Sequence, residues 1–259
     1  MCRMASKQTI AVLGSGWLGL PLSRKRVQQG DEVHLSTTTP VKFKGIIEAG
    51  CRPYLIKTEA NKLPEGWDEF THGVDWLVIN IPPGLRSDPD KDLVAHFQAI
   101  AAHSKDNAYK IIYISSTSVF ADTEEHHKVD EDMLAMDTNN SAIKQRSVEQ
   151  LICHKPGCVV VRASGLIGDG RHPIHTLAGR TNLPNPDAPI NLVTRDHVIK
   201  CIEQVLDGEF TEAVLHAVQP SALSRKRYYD LAAAERNLQP PTWNHDMPSK
   251  GKQVISRYY

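Results

Sequence analysis

Apolar runs rich in β-branched residues recur along the chain and alternate with stretches whose apolar positions fall at helical spacing. Thr9–Leu13 reads as a strand, followed by a helix from Trp17 to Gln29 that Gly30 closes. Glu32–Ser36 reads as the second strand, Pro40–Gly50 as a helix and Cys51–Ile56 as a further strand. Asp75–Ile81 (D-W-L-V-I-N-I) is a strong strand, stopped by Pro82-Pro83-Gly84. Leu93–Ser104 has helical spacing, and Lys110–Ser115 (K-I-I-Y-I-S) is the next strong strand. Ser141–His154 follows as a helix and Cys158–Ala163 as a strand. Continuous apolar strands separated by helices indicate a parallel sheet covered on both faces. The expected fold class is α/β, a doubly wound parallel sheet of the Rossmann type.

Beyond Ala163 the pattern changes. Residues 164–191 hold four glycines and four prolines, including N-L-P-N-P-D-A-P, which is loop composition. Regular signals return at Arg195–Leu206, Ala213–Val218 and Ser224–Asn237. The expected organisation is a dinucleotide-binding domain over 7–165 and a small C-terminal substrate lobe over 166–259. Parts of 192–218 return to the first domain. Open α/β sheets bind ligands at the carboxyl ends of their strands, and the lobe is expected to cover that edge.

Charge narrows the partners. Lys plus Arg equals Asp plus Glu at 30 each, so the formal net charge is zero and the basic surplus of a nucleic-acid or membrane binder is missing. The N-terminus lacks the apolar core of a signal peptide, and no apolar run reaches the roughly 18–20 residues of a membrane helix. The five cysteines, Cys2, Cys51, Cys153, Cys158 and Cys201, are odd in number and scattered. They read as reduced thiols of a cytoplasmic protein with a small-molecule substrate. His126-His127, although flanked by Asp122, Glu124, Glu125 and Asp130, lacks metal-ligand spacing, so no metal is expected.

Gly14, Gly16 and Gly19 form G-x-G-x-x-G between a strand and a helix. The first glycine permits the tight turn, the second lets backbone approach a pyrophosphate, and the third packs helix on strand. The helix N-terminus then offers N–H groups and partial positive charge to the phosphates. An NAD-binding second strand ends in an acid that grips the ribose hydroxyls. Here the strand ends S-T-T-T, with Asp31 and Glu32 at its other end. Hydroxyls of Ser36, Thr37 and Thr38, with Lys42 or Lys44 for charge, suit a 2′-phosphate and favour NADP over NAD.

The fourth strong strand ends I-S-S-T-S-V-F-A-D (114–122). Together with G-S-G-W-L-G-L-P-L (14–22), G-L-I-G-D-G-R-H-P (165–173) and I-N-L-V-T-R-D-H-V (190–198), this stretch resembles the extended short-chain dehydrogenases/reductases, the group of nucleotide-sugar epimerases and dehydratases. More narrowly, the chain resembles an atypical bacterial NAD(P)-binding, epimerase-like branch. The resemblance implies that Trp17 and Leu18 join the glycines around the pyrophosphate, and that Asn80, Ile81 and Pro82 lie along the cofactor. It implies that Ser115 borders the nicotinamide and that Ser116, three before Val119, orients a substrate oxygen. Arg171, beside His172, would clamp a substrate carboxylate or phosphate.

The usual members also carry Tyr-x-x-x-Lys on the next helix, a phenol proton donor with a lysine that lowers its pKa. Counting back from Glu149, this chain has Ser141 for the tyrosine and Gln145 for the lysine. Lys144 is rotated by about 100° around the helix. Two readings follow. One is an NADP-preferring oxidoreductase or redox-neutral enzyme acting on a small polar metabolite, with its proton donor taken from elsewhere, such as the lobe around Arg171, His172 and His175. The other is a non-catalytic dinucleotide sensor or scaffold. Arg195-Asp196 matches paired polar residues of the family, and a salt bridge or helix-start role fits equally well. The final G-K-Q-V-I-S-R-Y-Y resembles the family's late Gly-Lys segment. A homodimer would let a neighbouring subunit complete the lobe.

Overall fold

The computed structural model describes residues 7–85, 87–135, 139–154 and 156–259. The chain begins β1 (Thr9–Leu13), α1 (Gly19–Gln28), β2 (Glu32–Thr37), a 3-10 turn at Pro40–Lys42, α2 (Phe43–Glu48) and β3 (Arg52–Leu55). It continues α3 (Trp67–Thr71), β4 (Trp76–Ile79), α4 (Leu93–Lys105), β5 (Lys110–Ser116), a 3-10 turn at Thr117–Val119 and β6 (Lys128–Val129). Then come α5 (Asn140–Ile152), β7 (Cys158–Ala163), β8 (Gly165–Ile167), α6 (Ile174–Leu177) and β9 (Leu192–Thr194). The last elements are α7 (Arg195–Leu206), β10 (Val214–Ala217), α8 (Arg225–Glu235) and β11 (Gln253–Val254).

The main sheet has seven strands in the order β10-β7-β5-β4-β1-β2-β3. Pairings from β3 through β5 are parallel, with Leu13 opposite Ile79 and Ile79 opposite Tyr113. The chain runs outward from β1 through β2 to β3, then crosses back to place β4 on the other side of β1. That reversal makes the carboxyl ends of β1 and β4 a topological switch point, where open α/β sheets bind ligands. Strands β4 and β7 are buried at every residue and β1 at all but its first, because both faces of the sheet's centre are covered. One face packs Leu77, Ile79, Ile111 and Tyr113 on Phe97, Ile100, Val148 and Ile152 of α4 and α5.

The chain divides into two compact units. The first takes in the chain through Ser115, with Ile143–Val161 and Ile199–Val214; the second is Ser116–Ala142, Arg162–Val198 and Leu215–Tyr259. In the first unit α1 is latched to α7. Arg26, 3% exposed, donates to Asp31 Oδ2 at 2.7 Å and Asp207 Oδ1 at 2.8 Å. Lys25 donates to Glu203 at 2.6 Å. Asp31 is therefore a structural partner of Arg26 at the start of β2.

The second unit is built from short pieces: a β6–β11 pair, a β8–β9 pair and helices α6 and α8. Its loops use left-handed backbone at Asn182 and Asn185, where a short polar side chain tolerates positive φ. The last strand is clasped by Glu131, whose carboxylate accepts from His216 N–H at 2.9 Å, Ser256 Oγ at 2.7 Å and Arg257 N–H at 3.0 Å. His216 is fully buried, and its Nδ1–H donates to the Ile255 carbonyl at 3.0 Å. Burial pushes its pKa below the ordinary imidazole value, outweighing the opposing pull of Glu131. The folded chain thus holds the neutral ring while the unfolded chain takes up the proton first. The contribution is present above the ordinary value of 6.5 and is lost as pH falls below it. Thermal melts from neutral pH down to pH about 5 should show a steeper loss of Tm for the natural protein than for His216→Gln. Parallel curves would contradict this.

Four differences from the sequence reading stand out. The helix expected from Trp17 starts at Gly19, because residues 14–18 form the loop. The helix expected over Pro40–Gly50 is split into a 3-10 turn and the short α2. α3 and the two-residue strands were too short for a periodic signal. The cysteines need correction: Cys153 and Cys158 form a disulfide and are not both reduced thiols. Cys153 follows α5 and Cys158 opens β7, and their Cα atoms lie 5.1 Å apart, within disulfide reach. Cys51 and Cys201 are buried and in no disulfide, Cys51 with its thiol pushed up to about 11 by burial. Cys2 lies outside the described residues.

Candidate functional site: a dinucleotide cradle

The glycine loop leaves β1 at the switch point. Gly14 has φ +113°, a conformation side chains rarely adopt, and a Cβ there would lie 2.9 Å from the Asn80 carbonyl and 3.2 Å from Ile81 Cγ2. At buried Gly19 a Cβ would collide with the Gly14 carbonyl and come within 3.0 Å of Asn80 Nδ2. These two glycines are demanded by the protein's own packing. Gly16 differs: a Cβ there meets nothing within 4 Å. Nothing in the fold requires a glycine at that exposed position, so its space faces outward. α1 then begins with Leu18 as N-cap, without a side-chain cap or an acidic residue in its first turn. An anion would find no carboxylate in that turn to oppose it. Trp17 is half-buried at the loop and Leu18 is buried beneath it.

Ser36 supports the loop from below: its Oγ accepts from the Gly14 N–H at 2.8 Å, and the residue is 2% exposed. Thr37 is also buried, its Oγ1 accepting from Thr39 N–H at 3.2 Å. Of the three hydroxyls at the end of β2, Thr38 is the exposed one, as are Lys42 and Lys44 beyond it. Asn80 N–H donates to the Leu13 carbonyl at 3.0 Å and so extends the β1–β4 ladder under the loop. Ile81 and Pro82 follow it at the same carboxyl edge. The sequence signals thus converge on the loop, while Ser36 serves its backbone.

Ser115 at the end of β5 donates to Glu149 Oε1 of α5 at 2.5 Å, with both residues buried. Tyr113, two residues earlier, is buried with its phenol pushed up by desolvation and then by the Glu149 charge. Gln145 is buried on the same helix, and Lys144 Nζ donates to the Pro89 carbonyl at 2.7 Å. The Glu149 partnership had no readable signal, because one acid on an amphipathic helix looks like any other.

In the second unit, Ser116 Oγ accepts from Ser118 N–H at 3.1 Å and caps the following 3-10 turn. Arg171 lies exposed on a tight turn in which Gly168 and Arg171 exchange backbone hydrogen bonds. His172 Nδ1 accepts from Ile174 N–H at 3.2 Å, so in the neutral ring Nε2 carries the proton. That N–H donates to the Tyr228 hydroxyl at 2.9 Å, leaving the Tyr228 O–H proton for another acceptor. Burial, then Arg236 and His175, lower the His172 pKa against the pull of Glu235. Tyr228 is 56 residues away in sequence, and spacing alone could not have paired it with His172. Arg195 forms an ion pair with Asp169, which favours the salt-bridge reading of that position.

Among the described residues no group of three or more His, Cys, Asp or Glu side chains could hold a metal ion. No described helix is long and apolar enough to cross a membrane.

No protein-family model matches the chain. The structure resembles DesIV (dTDP-glucose 4,6-dehydratase) from Streptomyces venezuelae with NAD and TYD bound, at TM-score 0.75 and 12% identity, covering 95% of this chain and 88% of that one. It also resembles human epimerase family protein SDR39U1 (isoform2) with NADPH, at TM-score 0.68 and 17% identity, covering 95% of this chain and 90% of that one. The fold shared with these structures is the Rossmann type, a parallel sheet flanked by helices. In sequence, the chain is 30% identical over 251 residues to Protein YeeZ of Escherichia coli (strain K12), covering 95% of this chain and 90% of that protein. The chain belongs to the family of Protein YeeZ.

Proposed function

We propose that the chain binds NADP and is an epimerase/dehydratase-like enzyme, an oxidoreductase or a redox-neutral catalyst working on a small polar metabolite. The observation that carries this reading is the open space at Gly16 beside two glycines that packing does require. Gly14, Gly16, Trp17, Leu18 and Gly19 would cradle the pyrophosphate against the α1 N-terminus. Ile81 and Pro82 would border the dinucleotide at the end of β4. When bound, the nicotinamide supplies a ring carbon that gives or takes hydride.

NADP is favoured because β2 ends without an acid, its Asp31 being engaged by Arg26 at the other end. Exposed Thr38 and Lys42 would meet the 2′-phosphate, while Ser36 and Thr37 keep the loop in shape. Ser116 would orient the substrate oxygen, with Ser115 held behind it by Glu149. Arg171 would clamp an anionic group of the substrate, beside the His172–Tyr228 pair. The structural neighbours crystallised with NAD and with NADPH support a nicotinamide dinucleotide in either form.

A second reading, a dinucleotide sensor, draws support from α5. It carries Ser141 and Gln145 at the dyad positions, and Lys144 is engaged with Pro89. Calorimetric titration with NADPH and NADH tests the cofactor. NADPH is expected to bind about tenfold tighter or better, the worth of one charge-assisted contact. Equal affinities, or tighter NADH, would overturn the preference. Conversion of an added sugar by the cofactor-loaded protein, with net oxidation of NADPH for an oxidoreductase and without it for a redox-neutral catalyst, would then separate the enzyme from the sensor.

A further inference from the structure

Two adjacent tyrosines on α8 have different surroundings, because successive helical residues are rotated by about 100°. Tyr229 is buried in a cluster with Ile174, Ala232 and Ala233, its ring stacked on Trp243. Tyr228 stays half-buried beside the turn that leads into α6. Fully buried Ile174 anchors that turn, and His172 lies two residues before it. The His172 and Tyr228 rings stack at 15° with centroids 5.8 Å apart, and both residues belong to the second unit.

The hydrogen bonds around His172 settle which atom gives and which takes. Ile174 N–H donates to Nδ1 at 3.2 Å, and an Nδ1 that accepts carries no proton. Burial, then Arg236 and His175, hold the ring's pKa below the ordinary imidazole value, against the pull of Glu235. At neutral pH its one proton therefore sits on Nε2, which donates to the Tyr228 oxygen at 2.9 Å. The phenol proton is left pointing elsewhere, and among the described residues no acceptor takes it. Burial raises the Tyr228 pKa against the pull of Arg236, with Glu235 adding to the rise, so the phenol keeps that proton at neutral pH.

A general acid needs a proton held until an oxygen gaining charge meets it, and a donor ready for the anion left behind. Tyr228 supplies the first and His172 Nε2–H the second, whereas α5 has Ser141 and Gln145 where a phenol and a lysine would stand. We propose that Tyr228 is the proton donor to a carbonyl oxygen of the substrate, with His172 as its positioning residue. This rests on the oxidoreductase form of the proposed function. In the step, the carbonyl carbon gains a C–H bond by hydride from NADPH, the Tyr228 O–H bond breaks, and a new O–H bond forms on the former carbonyl oxygen. The carbonyl is reduced to an alcohol and NADPH is oxidised to NADP. The Tyr228 phenolate, held by His172 Nε2–H in the field of Arg236, regains its proton from water.

Two substitutions separate the two bonds of His172. In His172→Asn the amide oxygen can replace Nδ1 as acceptor from Ile174 N–H, but no donor reaches Tyr228; in His172→Gln the amide N–H can reach it. The full chain is first titrated to alkaline pH without ligand, following ultraviolet phenolate absorbance. The Tyr228 step, identified by its loss in Tyr228→Phe, should move up by about one pH unit in His172→Asn and by less in His172→Gln, because the phenolate loses a charge-assisted donor. NADPH oxidation is then followed with dihydroxyacetone phosphate, hydroxypyruvate and glyceraldehyde phosphate as carbonyl probes. In Tyr228→Phe kcat should fall about a hundredfold with calorimetric NADPH affinity unchanged. His172→Asn should lower kcat about tenfold, and His172→Gln should recover most of that loss. If His172→Asn does not fold, Tyr228→Phe, which keeps its ring on His172, carries the test. Undiminished kcat in Tyr228→Phe, or a Tyr228 step that stays in place in His172→Asn, overturns the inference and leaves the proposed function standing. NADPH binding without turnover of any probe overturns the oxidoreductase reading and the inference with it.

Discussion

Gly19→Ala is expected to lower the stability of the first unit by about 1–3 kcal/mol, the usual cost of forcing atoms into a packed site. It should also weaken NADPH binding by an order of magnitude or more. The new methyl would meet the Gly14 carbonyl, part of a turn that its positive φ and the Ser36 hydrogen bond hold in place. The Asn80 side chain, 3.0 Å from the same point, closes the alternative direction. Relief requires moving the loop or α1, and either distorts the cradle. Gly16→Ala is the internal comparison: its methyl meets nothing within 4 Å, so its unfolding midpoint in urea should match the natural protein. Equal stability of the two variants would mean that the loop does not pack as described.

The second large effect is expected at Arg26. Its guanidinium is buried, with side chains of Arg26 and Asp31 only 4% and 6% exposed, and it holds Asp31 and Asp207 together. Removing one partner of a buried ion pair leaves the other charge desolvated and uncompensated, a loss of about 3–5 kcal/mol. Arg26→Ala should therefore destabilise by that amount in urea unfolding. Asp31→Asn should cost less, because its amide oxygen can still accept from Arg26 or from the Gln8 N–H that Asp31 now holds at 3.0 Å. In the double variant most of the Arg26→Ala penalty should disappear, since no orphaned carboxylate remains at Asp31. An Arg26→Ala loss below about 1 kcal/mol would show that the pair is solvated after all.

Much of this frame was legible before the structure. The runs at Thr9–Leu13, Lys110–Ser115 and Cys158–Ala163 are apolar over most of their length because their strands are covered on both faces, and a run of that kind survives in sequence. The glycine spacing located the turn after β1 for the same reason, since Gly14 and Gly19 answer to local backbone sterics. What sequence could not carry were contacts between residues far apart. Ser36 looked like a phosphate ligand because its hydroxyl is at the end of β2, yet the neighbouring strand places the Gly14 N–H within its reach. Ser115 is bonded to Glu149 and His172 to Tyr228, pairings that depend on how helices settle on strands. The Cys153–Cys158 bridge escaped because five-residue spacing says nothing about whether the turn brings the Cα atoms together.

The measurement that tests the central claim most directly is calorimetric titration of NADPH into the natural protein and into Gly16→Asp. Gly16 projects into open space, so the substitution should leave the melting temperature nearly unchanged while placing a carboxylate where the pyrophosphate is proposed to lie. Saturable NADPH binding by the natural protein, with affinity reduced about a hundredfold or more in Gly16→Asp, is the predicted result. Failure of the natural protein to bind either NADPH or NADH, or undiminished binding by a well-folded Gly16→Asp, would contradict the dinucleotide cradle.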